Sequence, residues 1–160
     1  MLSNINKKWG NILKENAAAF IGQSDVFELD IELLTKEITM LIENGITTFY
    51  SGEMGGFDRV SSGVVHRLKN TYTHIKNYLV IPYLSFNVFD KKIFDEIIFP
   101  EQLEGVSYKA AISRRNKYMI EQSGTAICFV KHSVGGSAKS LEIAVKKGLN
   151  IVHIDAKHDS

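Results

Sequence analysis

The sequence lacks three features that would each point to a particular class of protein. It holds one cysteine, Cys128, so no disulfide can form within the chain and a disulfide-stapled fold is excluded. No stretch approaches the roughly 20 apolar residues that span a bilayer. The basic stretch 1–15 is not followed by the apolar core of a signal peptide. We therefore expect a cytoplasmic protein that does not enter a membrane.

An excess of one charge is also missing, because 19 Lys and Arg residues stand against 18 Asp and Glu residues. The formal net charge of +1 argues against binding to nucleic acid or to an anionic membrane surface. The five histidines lack the paired spacing of a zinc site. No GxGxxG fingerprint, Walker loop or GxSxG elbow occurs, which argues against a standard dinucleotide dehydrogenase, a P-loop NTPase and a serine hydrolase. The sequence thus predicts no metal centre and no resident cofactor.

The clearest pattern in the chain lies between residues 125 and 154. An apolar run at 125–130 is followed by the pair Gly135–Gly136, by apolar residues at helical spacing and by a second apolar run at 149–154. This order predicts one βαβ unit. Glycines between a buried strand and a helix let the backbone approach a ligand, and the helix start offers unpaired N–H groups to an anion.

The same alternation recurs along the whole chain. Strand-like runs lie at 17–21, 46–50, 78–83, 125–130 and 149–154, and helical patterns lie at 30–43, 58–68, 107–122 and after the glycine pair. A helix is also predicted over 1–16, and 84–105 is predicted to be an irregular insertion with a short strand around 97–99. We predict a single α/β domain, residues 1–160, with a Rossmann-like doubly wound, mainly parallel sheet of about five strands and helices on both faces.

Three of the predicted strands end in glycine turns, at Gly22, at Ser51–Gly56 and at Gly135–Gly136. Ligands of parallel sheets bind beyond the carboxyl ends of the strands, so these turns should gather at one edge of the sheet. The predicted ligand-binding residues are Gly22, Ser51, Gly52, Gly55, Gly56, Asp58, Gly135, Gly136 and Ser137.

Three charged side chains near these turns have both a functional and a structural interpretation. The Arg115 guanidinium suits a phosphate or a carboxylate, because it makes bidentate hydrogen bonds, but it also fits a surface helix charge. Asp58 is either a ligand contact or the N-cap of its helix. Glu142 is either a site residue or part of a solvated helix face. The residues alone leave these alternatives open.

The segment RNKYMIEQSGTAICFV, followed by GGSAKSLE, resembles the signature of the SLOG superfamily. This superfamily includes the LOG-type cytokinin-activating phosphoribohydrolases, the DprA family and the YpsA-like proteins. In the LOG pattern an arginine stands four residues before a methionine, and a strand and the motif PGGxGTxxE follow. Arg115 and Met119 match the first part, and Glu142 has the spacing of the family's glutamate after Gly136. The resemblance covers residues 17–154.

The chain departs from the LOG motif where that motif cradles a phosphate. Val134 stands in place of the proline before the glycine pair, and Ala138 and Lys139 replace the next glycine and threonine. The turn SGEMGGFD resembles the second SLOG motif, and its Asp58 is similar to the aspartate common in YpsA-like members. The YpsA-like branch is therefore the nearer match.

The resemblance implies a protein that binds a nucleotide or a nucleotide-derived small molecule, as a sensor, a binding module or a weak enzyme. The alternative that it implies is phosphoribohydrolase-type cleavage of the N-glycosidic bond of a nucleoside monophosphate, with Arg115 and Glu142 as the catalytic residues. A DNA-binding role, which the DprA family suggests, is disfavoured by the near-neutral charge. The phenylalanines of 84–105 suit a dimer surface or a lid, and we expect a homo-oligomer.

Overall fold

The computed structural model describes residues 13–157, which form a six-stranded sheet flanked by four helices. The strands are β1 Ala17–Gly22, β2 Thr48–Ser51, β3 Lys76–Val80, β4 Glu96–Ile98, β5 Thr125–Phe129 and β6 Asn150–His153. The helices are α1 Ile31–Glu43, α2 Gly56–Leu68, α3 Tyr108–Glu121 and α4 Gly136–Lys146. The helix predicted over 1–16 lies outside the described residues except for its last part, where Lys14–Asn16 form a 3-10 turn.

All strand pairs of this sheet are parallel, and the strand order is β4-β3-β2-β1-β5-β6. The chain runs outward from β1 to β4 and then returns to place β5 on the other side of β1. The order therefore reverses between β1 and β5, which is the switch point of a doubly wound sheet. The predicted Rossmann-like α/β fold is confirmed. The short strand predicted around 97–99 is β4, which adds a sixth strand beside β3.

The central strand β1 shows how both faces of the sheet are covered. Successive strand residues point to opposite faces. Ala18 and Phe20 belong to the core that α1 and α2 cover, whereas Ala17 and Ala19 face the side on which Met119 of α3 packs. Fully burying a large apolar side chain such as Phe20 contributes about 1.5–3 kcal/mol relative to leaving it exposed. Helices thus cover β1 on both faces of the sheet.

The strand bounds differ from the sequence prediction most at β2 and β3. β2 begins at Thr48 rather than at residue 46, and β3 covers Lys76–Val80 rather than 78–83. Pro82 has no N–H to continue a ladder, so the apolar run YLVIPY cannot remain a strand to its end. Lys76 joins the strand because its N–H donates to the carbonyl of Thr47 at 2.8 Å. That backbone contact leaves no trace in the pattern of apolar side chains.

The segment 84–105 is tied to the edge of the sheet by a buried amide and a carboxylate. Asn77 Nδ2 donates to the carbonyl of Ile93 at 2.9 Å, and Asp95 Oδ2 accepts the N–H of Asn77 at 2.8 Å. Two of its apolar side chains stay in solvent, since Leu84 and Phe89 are 66% and 75% exposed.

Cys128 lies on β5, between β1 and β6, and is 1% exposed. Burial raises the pKa of its thiol to about 12, so the thiolate that a nucleophile needs is scarcely populated at neutral pH. Cys128 therefore has the environment of a buried strand cysteine rather than that of an activated nucleophile.

Within residues 13–157, no group of three or more His, Cys, Asp or Glu side chains is placed to hold a metal ion. Among the helices of the same range, none combines the length and the apolar character that crossing a membrane requires.

Candidate ligand-binding site

A cavity of about 240 Å³ lies at the switch point, beyond the carboxyl end of β1. Its walls come from β1 and the turn after it, from the turn after β2 and the start of α2, from the middle and last part of α3, and from the first half of α4. The lining residues include Gly22, Ser24, Met54, Asp58, Ile112, Arg115, Asn116, Gly136, Ser137 and Ser140. This is the place at which doubly wound sheets bind their ligands.

The glycine turns meet around this cavity, as the sequence predicted. Ser137 Oγ donates to the carbonyl of Gly22 at 2.7 Å, which joins the start of α4 to the end of β1. The N–H of Gly56 donates to the carbonyl of Ser24 at 3.1 Å, which joins the start of α2 to the same turn. A Cβ at Gly22 would lie 2.1 Å from Cδ2 of Phe57, so a larger residue there would push α2 away.

The turn before α4 is open, and no side chain caps the helix start. Gly135 is the N-cap, with φ of 105°, and it offers no side chain to the N–H groups of the helix start. The first turn of α4 holds no acidic residue. Nothing lies within 4 Å of the position that a Cβ would take at Gly135 or Gly136. The unpaired N–H groups therefore remain available to an external acceptor.

The turn before α2 is organised differently, around Asp58. The carboxylate Oδ2 accepts the N–H of Met54 at 3.2 Å, and the N–H of Gly52 also donates to this carboxylate. The N-cap of α2 is Gly55, so the interpretation of Asp58 as the N-cap is wrong: it is the third residue of the helix and reaches back to the turn. Burial raises the pKa of Asp58, and the charge of Arg115 and the two N–H groups oppose that rise.

Arg115 is a buried residue of α3, 1% exposed, so its interpretation as a surface helix charge is wrong. Its Nη1 donates to the carbonyl of Gly52 at 2.9 Å and to that of Val80 at 2.8 Å. Its Nε donates to Oδ1 of Asn116 at 2.9 Å. The side chain thus joins the ends of β2 and β3 to α3 while it lines the cavity. A Cβ at Gly52 would lie 2.5 Å from Cζ of Arg115, so the missing side chain leaves room for the guanidinium.

Glu142 lies on the exposed face of α4, outside the lining of the cavity. Its side chain is 65% exposed and pairs with Lys146 at 3.1 Å, one helical turn further on. This position fits a solvated helix face. Its catalytic role, derived from the resemblance, stays a prediction.

The predicted site residues divide into two groups by their place. Gly22, Asp58, Arg115, Gly136 and Ser137 line the cavity. Ser51, Gly52, Gly55, Gly56, Gly135 and Glu142 do not. Ser51 is fully buried and its hydroxyl has no hydrogen-bond partner among the described residues.

Several lining residues were missed from the sequence, although two carried a usable signal. Asn116 follows Arg115 directly, and Ser140 follows Ser137 by one helical turn, on the same face of α4. Met54, which is 39% exposed, and Ile112 add apolar surface to the cavity. Nothing in the pattern distinguished these two from ordinary core or loop residues.

A second loop is fastened beside the site through Glu53. The backbone of Glu53 has a φ angle of 52°, which is unusual for a residue other than glycine. The residue is 5% exposed. Its Oε1 accepts the N–H of Phe89, and the guanidinium of Arg59 lies 4.8 Å from the centre of the Phe89 ring. Burial raises the pKa of Glu53. The loop that carries Phe89 is therefore held against the turn at 51–56.

Sequence comparison places the chain among known proteins. The profile of the YspA SLOG family matches residues 16–155. The SPbeta prophage-derived protein YoqJ of Bacillus subtilis (strain 168) is 29% identical over 135 residues, which cover 72% of this chain and 75% of that protein.

Two solved structures share the fold. DNA processing protein A (DprA) from Streptococcus pneumoniae superposes with a TM-score of 0.65 at 18% identity, covering 88% of this chain and 50% of that one. The chain thus spans half the length of DprA. The Moco Carrier Protein from Chlamydomonas reinhardtii gives a TM-score of 0.52 at 11% identity, covering 88% of this chain and 76% of that one. At such identities the likeness concerns the fold. The family match runs from the start of β1 past the end of β6, and the chain belongs to the YspA SLOG family.

Proposed function

We propose that this protein binds a nucleotide or a nucleotide-derived small molecule in the cavity at the switch point, as a sensor or binding module. The observation that carries the proposal is the meeting of three glycine turns around one cavity, with the start of α4 open to an anion. Membership of the SLOG family supports it. So does the name of the Moco Carrier Protein, which describes a neighbour in fold that carries a small molecule.

The phosphate of the ligand would lie at Gly136 and Ser137, where backbone N–H groups point outward at the positive end of the α4 dipole. Arg115 adds positive potential from the opposite wall of the cavity. Three of its five N–H groups are engaged by Gly52, Val80 and Asn116, and the remaining two are carried by Nη2. Its primary task is therefore to hold the walls of the cavity in place.

Binding without chemistry is favoured over N-glycosidic hydrolysis by the position of Glu142. A catalytic carboxylate must come within hydrogen-bond reach of the reacting sugar. Glu142 is exposed and paired with Lys146 instead. Incubating the protein with nucleoside monophosphates and separating free base by chromatography tests this alternative. Base release by the wild type that disappears in Glu142→Gln would establish hydrolysis.

A substitution at Ser137 tests the binding proposal directly. Ser137→Asp would place a carboxylate beside the N–H groups of the α4 start, where it would compete with the phosphate of the ligand. Ser137→Ala is the matched control, since it loses the same hydrogen bond to Gly22 without adding a charge. Losing a charge-assisted hydrogen bond costs about 1.5–3 kcal/mol, roughly tenfold to over a hundredfold in affinity.

The measurement is the shift in melting temperature with nucleoside mono- and diphosphates, cyclic nucleotides and ADP-ribose. We expect a positive shift for at least one compound with the wild type and with Ser137→Ala, and none with Ser137→Asp. A panel without any shift, or equal shifts in the two variants, would contradict the proposal. The homo-oligomer, with phenylalanines of 84–105 in its interface, stays a prediction that light scattering can test.

A further inference from the structure

The two helix starts at the carboxyl edge of the sheet differ in one chemical respect. Both α2 and α4 begin after a glycine N-cap with positive φ, Gly55 at 121° and Gly135 at 105°. The first turn of α2 holds Asp58, whereas that of α4 holds no acid. The two turns therefore have the same backbone design, but one of them already contains an anion.

The carboxylate of Asp58 reaches back from the third residue of α2 into the turn before the helix. It accepts N–H groups from Gly52 and Met54, which both belong to the turn between β2 and α2. Asp58 is also part of the cavity wall, close enough to Arg115 for the two charges to affect each other's pKa. The N–H groups at the start of α2 are also occupied, because Gly56 donates to the carbonyl of Ser24 and Phe57 to that of Gln23, so neither is free for a phosphate.

The size of the cavity limits what can lie between the two turns. Its 240 Å³ is below the roughly 300–1,000 Å³ of common small-molecule sites. It suits the polar sugar-phosphate part of a nucleotide. Asp58 and Gly136 both line this cavity, so a ligand whose phosphate lies at Gly136 shares the cavity with the Asp58 carboxylate.

We infer that Asp58 is a specificity-determining residue that restricts the cavity to ligands with a single anionic group, held at the start of α4. This inference rests on the proposed function. The part of the ligand that faces Asp58 is then an uncharged hydrogen-bond donor, of the kind that a ribose hydroxyl provides. A second phosphate at that end would meet a buried carboxylate, and like charges brought together in an interface are strongly disfavoured.

A purely structural role for Asp58 makes a different prediction. If the carboxylate only holds the turn, a neutral isostere lowers stability but leaves the preference between ligands unchanged. The decisive readout is therefore a ratio of dissociation constants, which a loss of stability alone does not move.

The experiment compares nucleotides that differ by one phosphate at the far end of the sugar. Adenosine and guanosine 5′-monophosphates are titrated against their 3′,5′-bisphosphates by calorimetry, with the wild type, with Asp58→Asn and with Asp155→Asn. Asp155 is exposed and outside the cavity, so its variant is the matched control. We expect the wild type and Asp155→Asn to bind the monophosphate at least roughly tenfold more tightly, and Asp58→Asn to lose most of this preference.

The outcomes separate the inference from the function on which it rests. Wild-type protein that binds the bisphosphate as tightly as the monophosphate overturns the inference and leaves the proposed function standing. This comparison holds even where Asp58→Asn does not fold. A folded Asp58→Asn variant with the wild-type ratio also overturns the inference. Protein that binds no nucleotide of either kind overturns the proposed function and the inference with it.

Discussion

Arg115 and Glu142 form one pair in the sequence motif, but they occupy opposite environments in the fold. Arg115 is 1% exposed and donates to the carbonyls of two strand ends, whereas the Glu142 side chain is 65% exposed and bonded to Lys146. The helix period explains the position of Glu142. Ser140 and Ala144 of α4 are buried, and residue 142 lies about 200° around the helix from each. Matching the spacing of a motif therefore does not place both members at one site.

The strongest test of this contrast is removal of the buried cation. Arg115→Met keeps an unbranched chain but leaves the carbonyls of Gly52 and Val80 without this donor and removes the positive charge that acts on the buried carboxylate of Asp58. Removing one charge of a buried pair destabilises a folded protein by about 3–5 kcal/mol, because the other charge stays buried without compensation. Urea denaturation measures the change in the free energy of unfolding. Arg114→Met, at the exposed neighbouring position, should stay within about 0.5 kcal/mol of the wild type. Equal losses in the two variants would show that Arg115 is not a structural centre.

A double-mutant cycle asks whether Arg115 and Asp58 act together. Because each shifts the pKa of the other, the losses from Arg115→Met and Asp58→Asn should not add. Contacting or charge-coupled residues show interaction energies of about 0.5–3 kcal/mol. The free energies of unfolding of the wild type, the two single variants and the double variant provide the measurement. Strict additivity would mean that the two groups stabilise the fold independently.

The pH dependence of the Asp58→Asn difference gives a separate check. Burial raises the pKa of Asp58 in the folded protein, so the folded state holds this proton more tightly than the unfolded state. The wild type should therefore lose stability relative to Asp58→Asn as the pH rises from the ordinary pKa of aspartate through the raised one, and not above it. Unfolding curves of both proteins at a series of pH values measure this. A difference that grows more favourable to the wild type over that window would contradict the raised pKa.

A smaller effect is expected when the support of Arg115 is weakened rather than removed. Asn116→Ala deletes the acceptor of the Arg115 Nε, a partly buried hydrogen bond of 2.9 Å. A typical hydrogen bond contributes about 0.5–1.5 kcal/mol, so the free energy of unfolding should fall by that amount. Asn116 also lines the cavity, and the same variant should weaken ligand binding. Unchanged stability in urea would show that the guanidinium finds another acceptor.

The smallest effect is expected at the other member of the pair. Glu142→Gln breaks one exposed ion pair with Lys146, and exposed pairs of this kind contribute about 0.3–0.5 kcal/mol. The melting temperature and the affinity for a nucleotide should both stay close to the wild-type values. A large loss of affinity in Glu142→Gln would mean that α4 turns or moves when the ligand binds, and would restore Glu142 to the site.

The sequence predicted the parts of the structure that depend on local pattern. Alternating apolar runs and glycine turns were enough for the doubly wound sheet and for the meeting of Gly22 with the turn before α4. The burial of Arg115 could not be predicted from the local sequence pattern, because the carbonyls that accept its hydrogen bonds lie 63 and 35 residues away in the chain. The role of Asp58 depends on the same fold, since its charge is compensated from α3. The outward position of Glu142 was within reach, because it lies about 200° around the helix from Ala144, which belongs to the apolar pattern and is buried.

Cys128 has a practical consequence for all of these measurements. It is the only cysteine of the sequence, it is 1% exposed, and its strand lies next to β1 at the centre of the sheet. A thiol reagent can therefore reach the protein's only sulfhydryl only after the side chains of α3 and α4 that cover this face of the sheet, such as Ile120 and Ala144, have moved away. The rate of labelling reports the free energy of that opening on unmodified protein, without an added probe. Since β5 leads directly into the turn before α4, a ligand bound at that turn should slow the labelling.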